Sequence, residues 1–89
     1  MNSVRWMPRA HQELAAIWIE SDSATRKRLT TQIQVIEDQL VRAPSEVGES
    51  RGPGRRLAIL RDLILDLSVR ELDRLVIVNA VRPKRKSSP

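Results

Sequence analysis

The hydrophobic period of this sequence changes from helical to strand-like after the arginine-rich stretch near residue 55, and that change restricts what the chain can fold into. Over 9–20, Ala10, Leu14, Ile17 and Trp18 fall at i, i+4, i+7 and i+8, which is one face of a helix. Leu29, Ile33, Ile36, Leu40 and Val41 continue that spacing in a second segment. After 57 the period becomes two. Leu57, Ala58, Ile59 and Leu60 form a first strand-like run, Asp62 breaks it, and Leu63, Leu65, Leu67 and Val69 then alternate with Ile64, Asp66 and Ser68. Leu75, Val76, Ile77 and Val78 are rich in β-branching and suit a buried strand. A helical period followed by a strand period predicts an α+β domain.

Local signals set the boundaries. Residues 3–7 read as a short first strand carrying Val4 and Trp6, and Pro8 suits the first turn of a helix. In the segment SDSAT, Asp22 or Ser23 supplies the N-cap of the second helix, and Pro44 and Gly48 punctuate its end. So short a link between two helices predicts an antiparallel hairpin. The polar RELDR closes a β-hairpin between the last two strands. The expected order is one strand, a helical hairpin, then a three-stranded antiparallel β-meander with the helices packed on one face. Residues 1–82 form the domain, and 83–89, PKRKSSP, read as a basic flexible tail because they hold no apolar residue.

Composition narrows the function classes. The only aromatic residues of the Phe, Tyr and Trp set are Trp6 and Trp18, so the base-stacking platforms of RNA-recognition folds cannot be assembled. Both tryptophans are expected to pack the first strand against the helical hairpin, with their N–H groups finding acceptors. The chain has no cysteine, which excludes disulfides, thiolate metal sites and a Cys nucleophile. His11 has Ala15 at i+4, so the zinc-ligand spacing fails; no metal and no cofactor are expected. No run approaches the ~20 apolar residues of a membrane span, and the first residues lack a secretory apolar segment, so a cytoplasmic location is expected. The formal net charge of +5 points to an acidic partner, whether nucleic acid or protein.

The most distinctive stretch is VGESRGPGRRLAIL, starting at Val47. Gly52-Pro53-Gly54 cannot lie inside a helix or a central strand, so the chain turns there. Its Lys-Ser/Thr ending is missing, so it is no P-loop. The turn is expected to set the angle at which the helical hairpin hands over to the sheet. Arg51, Arg55 and Arg56 flank it and Arg61 follows, with no acid between Arg51 and Arg61; Arg82, Lys84, Arg85 and Lys86 follow the last strand. If the strands pair, the two groups can form one basic patch. Cations beside an edge strand also guard it against aggregation without any ligand.

The order of elements, together with Trp6 on a first strand, AHQELAAIW and IEDQLVRAP on two helices, and VGESR and RRLAIL before a β-hairpin, resembles the RelE/ParE toxin superfamily of bacterial type II toxin–antitoxin systems. The resemblance implies a small basic toxin neutralised by a separately encoded acidic antitoxin, in a heterotetramer or larger complex. In the RelE-like branch such a toxin enters the ribosomal decoding site and cleaves mRNA; in the ParE-like branch it inhibits DNA gyrase. The fold does not choose between them. RNA cleavage of this kind uses the RNA's own 2′-OH, so the protein needs a proton acceptor and cations for the phosphate. Arg51, Arg55, Arg56 and Arg82 are the expected phosphate-binding, transition-state-stabilising groups, with Arg61, Lys84, Arg85 and Lys86 as further nucleic-acid contacts. RelE-like nucleases usually carry a Tyr or His near the end of the last strand, where this chain reads NAVRPKRK, and an arginine where it has Leu63 and Ile64. Glu46 and Glu49 remain as candidate bases. The alternatives are a gyrase inhibitor, or an inactive relative that only binds an antitoxin or nucleic acid. Strands 63–69 and 75–81 can also present more apolar surface than two helices cover, as in one half of an obligate complex.

Overall fold

A computed structural model of the protein describes Met1 to Lys84. Strand β1 (Ser3–Trp6) leads into helix α1 (Pro8–Glu20) and helix α2 (Ser23–Arg42), followed by a short 3-10 turn (Pro44–Glu46) and strands β2 (Glu49–Ser50), β3 (Arg55–Ile59), β4 (Leu63–Arg70) and β5 (Leu75–Pro83). The five strands form one mixed sheet in the order β1-β5-β4-β3-β2. Strands β3, β4 and β5 are the expected antiparallel meander, while β1 adds parallel to β5 and β2 adds antiparallel to β3. The α+β reading with a helical hairpin therefore holds, with five strands instead of four. Strand β2, two residues long, is too short to leave a period in the sequence.

Each helix starts and stops for a local reason. Pro8 at the head of α1 lacks only an N–H that would have had no partner there. Asp22 caps α2, its Oδ1 accepting the Thr25 N–H at 2.8 Å. Arg26 folds back over the end of α1 and donates to the Trp18 and Ile19 carbonyls at 2.8 and 3.2 Å, satisfying groups that a helix C-terminus leaves free. Pro44, buried, prevents α2 from continuing.

The period-two residues close the core. Leu63, Leu65 and Leu67 of β4 and Val76, Val78 and Val81 of β5 are buried beneath Ala10 of α1 and Leu29, Ile36 and Leu40 of α2. Each fully buried aliphatic side chain contributes about 1.5–3 kcal/mol relative to exposure. Trp6 packs against this core as expected, and its indole N–H donates to Glu37 Oε1 at 3.1 Å, tying β1 to α2. Glu37, half-buried, thus serves the fold as the acceptor for this indole. Trp18 departs from expectation: it is 38% exposed, with the Arg26 guanidinium 5.6 Å above its ring. Ile17 takes the inward position on α1, and Trp18 lies one residue further round the helix.

Two boundaries move. Gly52-Pro53-Gly54 is the turn of the β2–β3 hairpin, not the joint between helices and sheet; that joint is the 3-10 turn and Gly48. Strand β5 runs through Pro83, and the Lys84 N–H bonds to the Asp62 carbonyl at 2.9 Å, so the sheet ends beyond the boundary placed after 82. The rest of the expected tail, 85–89, lies outside the described residues. No helix among the described residues is long and apolar enough to cross a membrane.

Candidate functional site

Alternation along the strands divides the sheet into a face covered by the helices and an open face. Register carries the assignment across the meander: Arg55 pairs with Ser68, Leu57 with Asp66 and Ile59 with Ile64, while Arg56 pairs with Leu67 and Ala58 with Leu65. Leu65 and Leu67 belong to the core, so Arg55 lies on the open face and Arg56 on the opposite one. Two adjacent residues of one strand cannot share a face, and the expected guanidinium cluster is split for that reason.

The three arginines around the turn accordingly do three things. Arg56 donates to the Val47 and Gly48 carbonyls, fastening the joint below the sheet. Arg51 turns back onto Glu49, 2.9 Å away, so Glu49, considered as a base, is engaged in an ion pair. Arg55 reaches across the open face to Asp66, where a single nitrogen, Nη2, lies 2.8 and 3.0 Å from the two carboxylate oxygens. The absence of acids between Arg51 and Arg61 in sequence is thus offset by an acid on the neighbouring strand. Both pairs are substantially exposed and contribute little to stability, about 0–1 kcal/mol each.

Around the Arg55–Asp66 pair lies a cleft of about 460 Å³, lined by Arg9, Ser68, Asn79 and Arg82. Arg82 pairs in register with Ile64, which pairs with Ile59 at the far end of β3, and Ala80 pairs with Asp66, so Arg55 comes to line the same cleft as Arg82 by leaning along the sheet to Asp66. A bulge helps: between Asp66 and Leu67 the register shifts, and Asn79 is the extra residue of β5. Its side chain donates to Ser68 Oγ at 2.8 Å on the open face. Bulges re-aim side chains in this manner beside functional sites. Arg9 arrives from the head of α1. Strand β1 ends at Trp6, and α1 takes over the edge of β5, with Glu13 Oε1 accepting the Val81 N–H at 3.0 Å and Glu13 Oε2 lying 3.4 Å from Arg9 Nε. The cleft therefore gathers three arginines against one aspartate. Among the described residues no carboxylate lies within ion-pair distance of Arg82.

Arg61 and Lys84 lie at the same end of the sheet. Asp62, in the β3–β4 turn, is bonded to Arg28 at 3.2 and 3.4 Å and to the Gln32 amide at 2.6 Å, and its own N–H donates to Gln32 Oε1 at 2.9 Å. The Arg28 bond holds the Asp62 carboxyl below its ordinary range, partial burial opposing it and Gln32 adding to it. Because the Asp62 carbonyl also accepts the Lys84 N–H, the backbone at exposed Lys84 lies against the turn that carries exposed Arg61. Arg85 and Lys86 lie outside the described residues. His11, exposed, stands over Trp6 at 5.6 Å between ring centres. Among the described residues no group of three His, Cys, Asp or Glu side chains comes together in a way that could hold a metal ion.

Arg9, Asp66, Ser68 and Asn79 were not among the residues singled out from sequence. Asp66 and Ser68 stood out only as polar members of an alternating strand, and the neighbourhood of Arg9 depends on where β1 stops. The open face also keeps apolar residues: Leu57, Leu75 and Ile77 are half-buried, and Ile59 is 46% exposed.

No protein-family profile matches this sequence, and no curated protein is significantly similar to it. Solved structures are similar in fold. The isolated E. coli RelE toxin aligns over 98% of this chain and 88% of its own, at 22% identity and a TM-score of 0.65. The chromosomal ParDE TA system of P. aeruginosa aligns over 96% and 98%, at 17% identity and a TM-score of 0.70. The intact E. coli RelBE toxin–antitoxin complex aligns over 97% and 100%, at 21% identity and a TM-score of 0.64. The chain has the fold shared by these RelE and ParE structures.

Proposed function

We propose that this chain, built on the RelE/ParE fold, is the toxin of a type II toxin–antitoxin pair that acts in the cytoplasm by cutting ribosome-bound mRNA. The observation that carries this reading is the convergence of Arg9, Arg55 and Arg82 from three elements onto the open face of the sheet. Guanidinium groups lining one cleft suit a phosphodiester, which they bind through charge-assisted hydrogen bonds and whose developing negative charge they stabilise as a 2′-oxygen attacks. Arg61 and Lys84, at the end of the same sheet, extend the basic surface for flanking phosphates, with Arg85 and Lys86 continuing it in sequence. Arg51 plays the lesser part, held by Glu49, and Arg56 serves the fold. A net charge of +5 and likeness to a toxin solved with its antitoxin support an acidic antitoxin as partner, in a heterotetramer or larger assembly.

The test is purified protein added to ribosomes programmed with mRNA, read by primer extension. Cuts within the decoding site, lost in Arg55→Ala/Arg82→Ala, are expected; full-length mRNA overturns the reading. The likeness to ParDE over nearly the whole of both chains, together with the ion pairs on Arg51 and Arg55, favours one alternative: inhibition of DNA gyrase without nuclease chemistry. That alternative predicts trapped DNA–gyrase complexes, and a supercoiling assay unaffected by the protein removes it.

A further inference from the structure

A cleft lined by cations binds a phosphate but does not by itself remove a proton from a hydroxyl. Neither carboxylate considered as a base from sequence lies in it: Glu49 is engaged by Arg51, and Glu46 is exposed in the 3-10 turn. The one carboxylate lining the cleft is Asp66. We propose that Asp66 is the proton acceptor for the ribose 2′-hydroxyl in RNA cleavage, an inference that rests on the nuclease reading above.

Three features of its placement support the role. Arg55 Nη2 straddles both carboxylate oxygens, at 2.8 and 3.0 Å, which fixes the carboxylate while leaving each oxygen a further lone pair for a hydroxyl. The Asp66 side chain is 34% exposed, open to a ligand in the cleft. The bulge places Asn79 so that it donates to Ser68 Oγ, which leaves the Ser68 proton free to point at a phosphate oxygen. Donors from Arg9, Arg55, Arg82 and Ser68 and one acceptor from Asp66 thus share a single cleft, the complement of a phosphodiester with a hydroxyl beside it. DNA offers that acceptor nothing, because it lacks the 2′-OH.

In the step, the 2′-hydroxyl proton passes to Asp66 as the 2′-oxygen bonds to phosphorus. The bond from phosphorus to the 5′-oxygen breaks, its electron pair leaves with that oxygen, and the oxygen takes a proton from water. The hydroxide so formed takes the proton from Asp66, which returns to its starting state. The products are a 2′,3′-cyclic phosphate and a 5′-hydroxyl.

The test compares wild type, Asp66→Asn, Asp66→Glu and, as a control on the exposed face of α2, Asp38→Asn. Two readouts are taken: cleavage of ribosome-bound mRNA at saturating protein, and binding of an RNA oligonucleotide carrying a single 2′-deoxy residue at the cut position. Asp66→Asn is expected to lower the cleavage rate about 100-fold or more, with binding unchanged or tighter because Arg55 is released. Asp66→Glu restores part of the rate, and Asp38→Asn cuts as wild type. Cutting by Asp66→Asn at the wild-type rate overturns the role of Asp66 alone. Parallel loss of binding and cleavage also overturns it, making Asp66 a structural support. Binding without cutting by the wild type overturns the nuclease reading and the role of Asp66 with it.

Discussion

Gly48 and Gly54 have nearly the same backbone conformation, φ +65° and +69°, but different surroundings, and substituting each by alanine isolates the effect of close packing at the joint. A Cβ at Gly48 would press on the Leu57 carbonyl, with the Leu57 carbonyl carbon at 2.8 Å and the Ala58 Cα at 2.9 Å; these are backbone atoms that cannot rotate aside. At Gly54 the nearest obstacle is the Val69 carbonyl oxygen at 3.3 Å. The left-handed conformation costs alanine about 1–2 kcal/mol at either site. Gly48→Ala must in addition push the joint away from β3, disturbing the Glu49–Leu57 pairing and the Arg56 bond to the Gly48 carbonyl, at about 1 kcal/mol per hydrogen bond. The expected losses are about 3–5 kcal/mol for Gly48→Ala and about 1–2 kcal/mol for Gly54→Ala, out of a total stability on the order of 5–15 kcal/mol. Urea unfolding followed by tryptophan fluorescence measures both, as a shift of midpoint at constant slope. Two variants within about 1 kcal/mol of each other would refute the close approach of this joint to β3.

Arg56 and Arg82 should separate stability from binding. Arg56→Ala lowers the unfolding midpoint and leaves RNA affinity per folded molecule unchanged, because its guanidinium bonds the Val47 and Gly48 carbonyls; Arg82→Ala leaves the midpoint unchanged and reduces the salt dependence of single-stranded RNA binding by about 0.7 in log–log slope. Asp62 should govern part of the acid sensitivity. Its folded pKa lies below the ordinary 3.8, so the stability it contributes is present above that value and is lost as the pH falls through the lowered one. Asp62→Asn is therefore less stable than wild type at neutral pH, and the gap between them narrows as unfolding is repeated at pH values below about 4.

The sequence showed most of the fold because its two periods are separately legible: Leu14, Ile17, Leu29 and Ile36 fall at helical spacing, and although leucine is also a good helix former, the strict alternation of Leu63, Leu65 and Leu67 favours a strand. What it could not show was partnership across the sheet. That Asp66 would face Arg55 depends on the β3–β4 register, and that Asn79 would reach Ser68 depends on a bulge, which has no signal in a single chain. One error was avoidable. Arg55 and Arg56 are adjacent, so a strand beginning there must send them to opposite faces, and only one of them could join a patch. Trp18 shows the weakness of helical spacing near its edge, since Ile17 and Trp18 fit the apolar face almost equally and packing selected the first.

On the function proposed above, the open-face cleft of Arg9, Arg55 and Arg82 is the toxic surface. The most direct test is inducible expression in a bacterial host, wild type beside Arg55→Ala/Arg82→Ala, with pulse labelling of protein and DNA synthesis. Growth arrest by the wild type is expected, with protein synthesis failing first, and relief of that arrest in the double variant at equal levels of folded protein. Undiminished arrest by the double variant, or DNA synthesis failing first, would contradict it.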